Sequence, residues 1–232
     1  MKTLYLIPTL LAPDTQSSVL PAAISEKVSE LNIFFVENLK SARRFISSLK
    51  LGKTIDEITF YELTKDSNYD AVFELINELE EDAGILSEAG CPGIADPGAL
   101  AVEIAHQLSI KIVPMVGPSS ILLALMASGF NGQSFAFHGY LPIDRKERVK
   151  RLKELERLSH TTGQTQLFME TPYRNRQMLD SIVNHCNPNT KLTISADLTA
   201  ENALSKTQRI ELWKREKTVY LHKRPAIFGF GI

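Results

Sequence analysis

The first half of the chain alternates short apolar segments typical of β-strands with amphipathic segments typical of helices. A single helix pattern separates each pair of strand patterns, which predicts βαβ units in a largely parallel sheet flanked by helices. The predicted strands are Leu4 to Ile7, Ile33 to Val36, Ile58 to Tyr61, Gly84 to Leu86 and Ile110 to Met115. The predicted helices are Val19 to Leu31, Ser41 to Leu49, Asp70 to Glu81 and Pro97 to Leu108.

The second half has a different organisation, with strand and helix patterns separated by polar turns. A turn at Gly117 to Ser120 ends one strand and opens a helix over Ile121 to Ala127. We therefore expect an α/β domain over 1–116 and a smaller mixed α/β domain over 117–232. The strands predicted in the second domain are Phe135 to Tyr140, Gln166 to Met169, Leu192 to Ala196 and Val219 to His222.

The loop from Ser87 to Pro97 is long for a connection between a strand and a helix, which usually takes two to six residues. It is rich in glycine and proline, and long loops of this kind are where an α/β sheet usually holds a ligand. Asp96 followed by Pro97 predicts a helix N-cap with proline in the first helical position. Asp96 can therefore serve a ligand or serve only the helix.

Composition excludes several classes of protein. The 26 basic and 27 acidic residues give a net charge of −1, so strong overall attraction to nucleic acid is not expected, although a local basic patch is possible. Two distant cysteines and five scattered histidines predict neither a disulfide framework nor a metal site. The N-terminus enters a strand directly and no apolar segment reaches membrane-spanning length, so we expect a cytoplasmic protein without membrane association.

Familiar motifs for nucleotides and hydrolysis are missing from the sequence. No Gly-x-Gly-x-x-Gly follows the first strand, and no Walker loop, His-Glu-x-x-His or Gly-x-Ser-x-Gly is present. A parallel sheet with a ligand loop but without these motifs indicates a small organic cofactor.

Five motifs in order then support a more specific interpretation. They are Leu4 to Thr9, Ser87 to Gly98 (Ser-Glu-Ala-Gly-Cys-Pro and Ala-Asp-Pro-Gly), Val116 to Ser120, Gly139 to Pro142 and Phe168 to Arg174. Together they resemble the tetrapyrrole methylase superfamily of S-adenosylmethionine-dependent methyltransferases. Within it, they are most similar to the branch that methylates a ribose 2′-hydroxyl of small-subunit ribosomal RNA.

The resemblance implies a two-domain fold, with a mostly parallel N-terminal sheet, a mixed C-terminal sheet and a cofactor cleft between them. It also implies S-adenosylmethionine as the cofactor and a homodimer as the assembly. The cofactor-binding residues that it implies are Pro8, Ala89, Gly90, Ile94, Ala95, Asp96, Ser119, Ser120 and Met169.

Methyl transfer from a sulfonium is an in-line displacement with a neutral leaving group, so it needs no metal and depends on positioning. A ribose hydroxyl is a poor nucleophile, and a carboxylate base would assist it. We expect Glu170, at the end of a predicted strand, to be that base, although it can instead form an ion pair with Arg174. The alternative carboxylates are Glu37, Glu88 and Glu201.

The basic segment that begins at Arg145 is the candidate surface for RNA phosphates. Arg145, Lys146 and Arg148 are the expected contacts, and Arg174 is a further candidate for substrate binding. A solvated helix face is the alternative interpretation, because acidic residues follow in the same segment.

The chain departs from the branch where a substrate would be held. Its first turn has Leu10 to Asp14 where the branch has Pro-Ile-Gly-Asn-Leu, and its Glu37 to Lys40 replaces Glu-Asp-Thr-Arg. Tyr173 stands in the place of a histidine. RNA is the favoured acceptor, and the alternatives are a tetrapyrrole-like small molecule or a non-catalytic cofactor-binding protein that kept the fold.

Overall fold

The computed structural model describes residues 2–216 and 220–232. It divides into two compact units, Met1–Ser119 and Ser120–Ile232, each with its own hydrophobic core. The sequence-based boundary was placed between residues 116 and 117. Within the described residues, no helix is long and apolar enough to cross a membrane.

The first unit is a five-stranded parallel sheet with helices between the strands, as the alternating pattern predicts. The strand order is β3-β2-β4-β1-β5. The strands are β1 (Thr3–Ile7), β2 (Ile33–Val36), β3 (Thr59–Glu62), β4 (Ala83–Leu86) and β5 (Lys111–Pro114). The helices are α1 (Gln16–Val19), α2 (Ala22–Glu30), α3 (Leu39–Ser48), α4 (Tyr69–Asn77) and α5 (Gly98–Gln107), with a short 3₁₀ turn at Ile55–Glu57.

The helix predicted from Val19 to Leu31 is wrong at its start, because the structure has two helices there. Pro21 lies between α1 and α2 with extended backbone angles, φ −59° and ψ 148°. Proline disfavours the helical conformation of the residue before it, and Leu20 is accordingly extended.

The two faces of this sheet are covered by different helices. Helices α2 and α3 pack on one face, where Val28 and Ile46 are buried beside Phe34. Helices α4 and α5 pack on the other face, where Ile76 and Ile104 are buried. The chain therefore leaves β1 and β2 toward one face and β4 toward the other, although β4 lies between them in the sheet. Such a topological switch point opens a crevice at the carboxyl ends of the strands.

The second unit is a mixed five-stranded sheet with helices, and the predicted fold class is thereby confirmed. Its order is β6-β7-β10-β8-β9, with β6 and β7 parallel and the other pairs antiparallel. The strands are β6 (Phe135–Tyr140), β7 (Thr165–Glu170), β8 (Lys191–Ala196), β9 (Leu204–Arg209) and β10 (Ala226–Gly231). The helices are α6 (Ser120–Ser128), α7 (Arg145–Thr162), α8 (Asn175–His185) and α9 (Ile210–Arg215).

The strand predicted from Val219 to His222 is not found. Val219 lies outside the described residues, and Tyr220 to His222 form no strand. Strands β9 and β10, which the sequence patterns did not predict, complete the sheet instead.

Candidate active site at the carboxyl edge of the parallel sheet

Three loops meet at the carboxyl edge of the first sheet and are joined by hydrogen bonds. Thr9, after β1, donates its backbone N–H to the Gly90 carbonyl (2.9 Å) and its hydroxyl to the Ser87 carbonyl (3.2 Å). The backbone N–H of Glu88, after β4, donates to Oε2 of Glu37, which follows β2 (3.1 Å). The loops of β1, β2 and β4 therefore form one connected surface at the switch point.

A cavity of about 470 Å³ opens between these loops and helix α3. Two cations, Lys40 and Arg44, lie on its wall one helical turn apart, and neither side chain has a hydrogen bond or an ion pair within residues 2–216 and 220–232. Asn38 starts the helix here by accepting from the backbone N–H groups of Lys40 and Ser41. The wall thus offers free positive charge beside a helix N-terminus, which suits an anionic group.

The loop after β4 folds around the carboxylate of Asp96. Its Oδ1 accepts from the backbone N–H groups of Gly93 (3.0 Å) and Gly98 (2.8 Å). The prediction of Asp96 as N-cap with Pro97 as the first helical residue is wrong in its register, because Pro97 occupies the cap position and α5 begins at Gly98. The carboxylate closes the loop instead, and the loop needs left-handed backbone at Gly93 and Ala95.

The second oxygen of Asp96 is the most informative atom of this loop. Oδ2 is buried and has no hydrogen-bond partner. A buried carboxylate oxygen is costly unless a donor reaches it, so its environment suits a ligand that carries a hydroxyl or an amino group. Asp96 also lines a second opening of about 750 Å³, which shares Asn38 and Glu88 with the first cavity.

Glu37 stands out electrostatically among the candidate carboxylates. Partial burial raises its pKa above the ordinary value for glutamate, and the neighbouring carboxylates of Glu88 and Asp96 raise it further. The hydrogen bond from the Glu88 N–H acts in the opposite direction but does not cancel the shift. A carboxylate with a raised pKa beside a cavity has the properties of a general base.

Several of the predicted cofactor residues lie on adjacent loops of the first unit. A Cβ atom on Gly117 would lie 2.2 Å from Cβ of Pro8, so the turn after β5 packs directly on the turn after β1. A Cβ atom on Gly90 would lie 3.0 Å from the Pro118 carbonyl, and Gly90 has a positive φ of 76°. Ala89 and Ser119 flank these contacts in sequence.

The remaining predicted cofactor residues are less enclosed or belong to the other unit. Ile94 is 51% exposed and Ala95 is exposed, both on the loop after β4. Ser120 begins α6, and Met169 lies in β7 of the second unit.

Cys91 lies on the same loop as Gly90 and fits its predicted structural role. Its Sγ contacts the Pro118 carbonyl at 3.3 Å, and burial raises the pKa of its thiol. A thiol of raised pKa is a weak nucleophile. Within the described residues, no group of three potential ligands could hold a metal ion.

The structure pairs Glu170 with Arg174. The Glu170 side chain is 1% exposed, and its Oε1 lies 2.6 Å from Nη2 of Arg174. The same oxygen accepts from the backbone N–H of Thr171 at 2.7 Å. This arrangement is the ion pair that the spacing of the two residues allowed, and it occupies both of them within the second unit.

The predicted phosphate contacts on α7 divide into two kinds. Arg145 and Lys146 are exposed in the first turn, which Asp144 caps. Arg148 is only 5% exposed and donates from Nε to the hydroxyl of Ser181 and from Nη1 to the carbonyl of Ile143 (2.7 Å). Arg148 therefore stabilises the end of the β6–α7 connection.

Lys40 and Arg44 were not among the predicted binding residues. The sequence did single out Lys40 as a replacement for an arginine, and Arg44 follows it four residues later on the same helical face. That spacing was the available signal, although nothing local indicates that the loops of β1 and β4 complete a cavity beside it.

Comparison with known proteins agrees with this geometry. No family model matches the chain. A protein of Buchnera aphidicola subsp. Schizaphis graminum named ribosomal RNA small subunit methyltransferase I is 29% identical over 198 residues, which is 84% of this chain and 65% of that protein. Proteins of the same name from Vibrio cholerae (34%, over 50% of this chain and 38% of that protein) and Halalkalibacterium halodurans (35%, over 62% and 50%) also match.

The chain belongs to the tetrapyrrole methylase superfamily. The crystal structure of the methyltransferase CobJ has the same fold, with a TM-score of 0.63 at 12% identity over 100% of this chain and 95% of that one. The superfamily resemblance inferred from five ordered motifs is thereby confirmed. This superfamily member spans about two thirds or less of the length of the curated relatives just named.

Proposed function

We propose that the protein is an S-adenosylmethionine-dependent methyltransferase that methylates RNA, with a ribose 2′-hydroxyl of small-subunit ribosomal RNA as the acceptor. The observation that carries the proposal is the loop after β4, in which Asp96 keeps a buried oxygen without a partner beside an open cavity. The names of the curated relatives support the class of reaction and the acceptor.

The residues of the first unit suit this cofactor. Asp96 Oδ2 can accept a hydrogen bond from one of its hydroxyl or amino groups, and Gly90 leaves backbone accessible where a side chain would intrude. The cofactor supplies an activated methyl group on a sulfonium, and the protein's part is to hold the acceptor oxygen in line with it. The other proposed cofactor residues are Pro8, Ala89, Ile94, Ala95, Ser119, Ser120 and Met169.

We assign the base to Glu37 in this proposal, in place of Glu170. Glu170 is enclosed and paired with Arg174, whereas Glu37 lies at the edge of the sheet with a raised pKa and no ion-pair partner within the described residues. Glu37 can therefore take the hydroxyl proton as the acceptor oxygen attacks. Glu88, whose N–H orients the Glu37 carboxylate, supports it in position.

The acceptor's phosphates are assigned to Lys40 and Arg44, with Arg145 and Lys146 as a second basic surface. Two free cations beside a helix N-terminus suit the phosphates that flank a target ribose. The superfamily resemblance further supports a homodimer, and a ribosomal RNA acceptor agrees with the cytoplasmic location expected from the sequence.

The test is methyl transfer from radiolabelled S-adenosylmethionine to small ribosomal subunits that lack the modification. We expect label on a ribose of the RNA. Changing both Lys40 and Arg44 to Gln should lower RNA affinity and flatten its salt dependence by about 0.7 per lost contact on single strands. The double change Lys65→Gln and Lys111→Gln is the charge-matched control.

Label on a tetrapyrrole-like acid instead of RNA would replace the acceptor. If neither acceptor is labelled while the cofactor binds, the proposal of RNA methylation is contradicted and the non-catalytic alternative is supported.

A further inference from the structure

Three aromatic side chains form an exposed cluster in the second unit. Tyr173 is 70% exposed and Tyr220 is 65% exposed, and His222 lies between them. The His222 ring meets each tyrosine ring edge to face, with centroids 6.2 Å from Tyr173 and 6.4 Å from Tyr220. We call Tyr173, Tyr220 and His222 the aromatic cluster.

The backbone beneath the cluster is firmly held. Leu221, between the two exposed rings of its segment, is buried in the core. The side-chain amide of Asn175 donates to the carbonyls of Leu221 (2.9 Å) and Arg224 (2.6 Å), and the backbone N–H of Lys223 donates to the carbonyl of Pro172 (3.0 Å). The last bond ties the segment of Tyr220 to the turn that carries Tyr173.

Arg224 adds a second set of bonds to the same segment. Its Nη1 donates to the Tyr220 carbonyl (3.1 Å), while its Nε is paired with Asp197 at 2.6 Å. The fold therefore fixes the backbone and leaves the rings in solvent. Rings presented in this way lose little conformational freedom when a flat ligand stacks on them.

We propose that the aromatic cluster is a stacking surface for unpaired nucleobases of the RNA acceptor. Aromatic rings with exposed faces are the usual platform for single-stranded RNA, because every base has a face on which it can stack. Lys223 extends from the same segment, and its side chain has no hydrogen bond or ion pair within the described part of the chain, so it is free for a neighbouring phosphate. This inference rests on the proposed RNA acceptor and adds binding residues that the sequence motifs did not assign.

The test is fluorescence anisotropy of the full chain with a labelled single-stranded RNA of about 12 nucleotides, within the range of known single-strand sites. Tyr173→Ala and Tyr220→Ala should each weaken binding about 5- to 150-fold, whereas Tyr173→Phe and Tyr220→Phe should keep most of it. The salt dependence should stay unchanged in the alanine variants, because no phosphate contact is removed, and Lys223→Gln should lower its slope by about 0.7.

Other outcomes separate the two proposals. If the wild-type chain binds RNA and the alanine variants bind it equally well, the stacking surface is wrong while the RNA acceptor stands. If the alanine variants change only the oligomeric state, the cluster is a protein interface and the inference is also overturned. If the wild-type chain binds the cofactor but no RNA, the proposed acceptor itself fails. A phenylalanine variant that loses as much affinity as alanine would show hydroxyl hydrogen bonding in place of stacking.

Discussion

At the scale of single residues, charge and burial separate carboxylates that look alike in the sequence. Glu37 and Glu170 both follow a strand, but burial and two acids raise the pKa of Glu37, whereas Glu170 is held by Arg174. The sequence could place both at strand ends. It could not show which one is enclosed, because the partners of Glu37 come from the loop after β4, about 50 residues away.

Substitution of these two carboxylates should therefore have different effects. Glu37→Gln is expected to lower the single-turnover rate of methyl transfer by about 10²- to 10⁴-fold, the usual contribution of a general base. Glu170→Gln should lower stability by about 1–3 kcal/mol, because Arg174 loses its partner, while the rate of the folded protein stays near wild type. Rate loss confined to Glu170→Gln would return the base role to that residue.

The raised pKa of Glu37 also predicts a pH dependence of stability. The folded state holds this proton more tightly than the unfolded state, so the group's contribution to stability falls as pH rises from the ordinary carboxyl value through the raised pKa. Glu37→Gln should melt at the wild-type temperature in acid and at a higher temperature near neutral pH. Melting curves across that range would contradict the assignment if the difference stayed constant.

At the scale of elements, the sequence predicted buried strands well and exposed or glycine-containing strands poorly. Strands β1, β2 and β4 are continuous apolar runs because helices cover both faces of a parallel sheet. Strand β9 is a polar edge strand, Leu-Ser-Lys-Thr-Gln-Arg, with no alternation to detect. Strand β10 carries Gly229 and Gly231, which weaken a strand pattern.

The glycines of β10 are required by packing, and this can be tested. A Cβ atom on Gly231 would lie 2.2 Å from the Phe130 ring, closer than any real contact. Gly231→Ala should therefore lower the free energy of unfolding by about 1–3 kcal/mol, as overpacking of a core does. The control is Gly132→Ala, where a Cβ would meet nothing within 4 Å. Equal melting temperatures for the two variants would contradict the packing described.

At the scale of the whole molecule, charge is local. The net charge of −1 gives no overall attraction to RNA, and the free cations are confined to α3, the start of α7 and Lys223. The sequence predicted the α7 group correctly as basic but could not show that Arg148 is buried. It predicted the family from short motifs because those motifs form the loops at the switch point. The cavity needed the structure, since its walls come from three loops that are distant in the chain.

The central claim is that the loop around Asp96 binds S-adenosylmethionine, and calorimetric titration of the full chain tests it most directly. We expect one saturable site for S-adenosylmethionine and S-adenosylhomocysteine with Kd below about 1 mM. In Asp96→Asn, the amide oxygen can keep the bonds to Gly93 and Gly98, but the amide NH₂ then faces the ligand's donor. The variant should bind about 10- to 150-fold more weakly with an unchanged melting temperature. No binding by the wild-type chain at millimolar ligand, or equal binding by Asp96→Asn, would contradict the account.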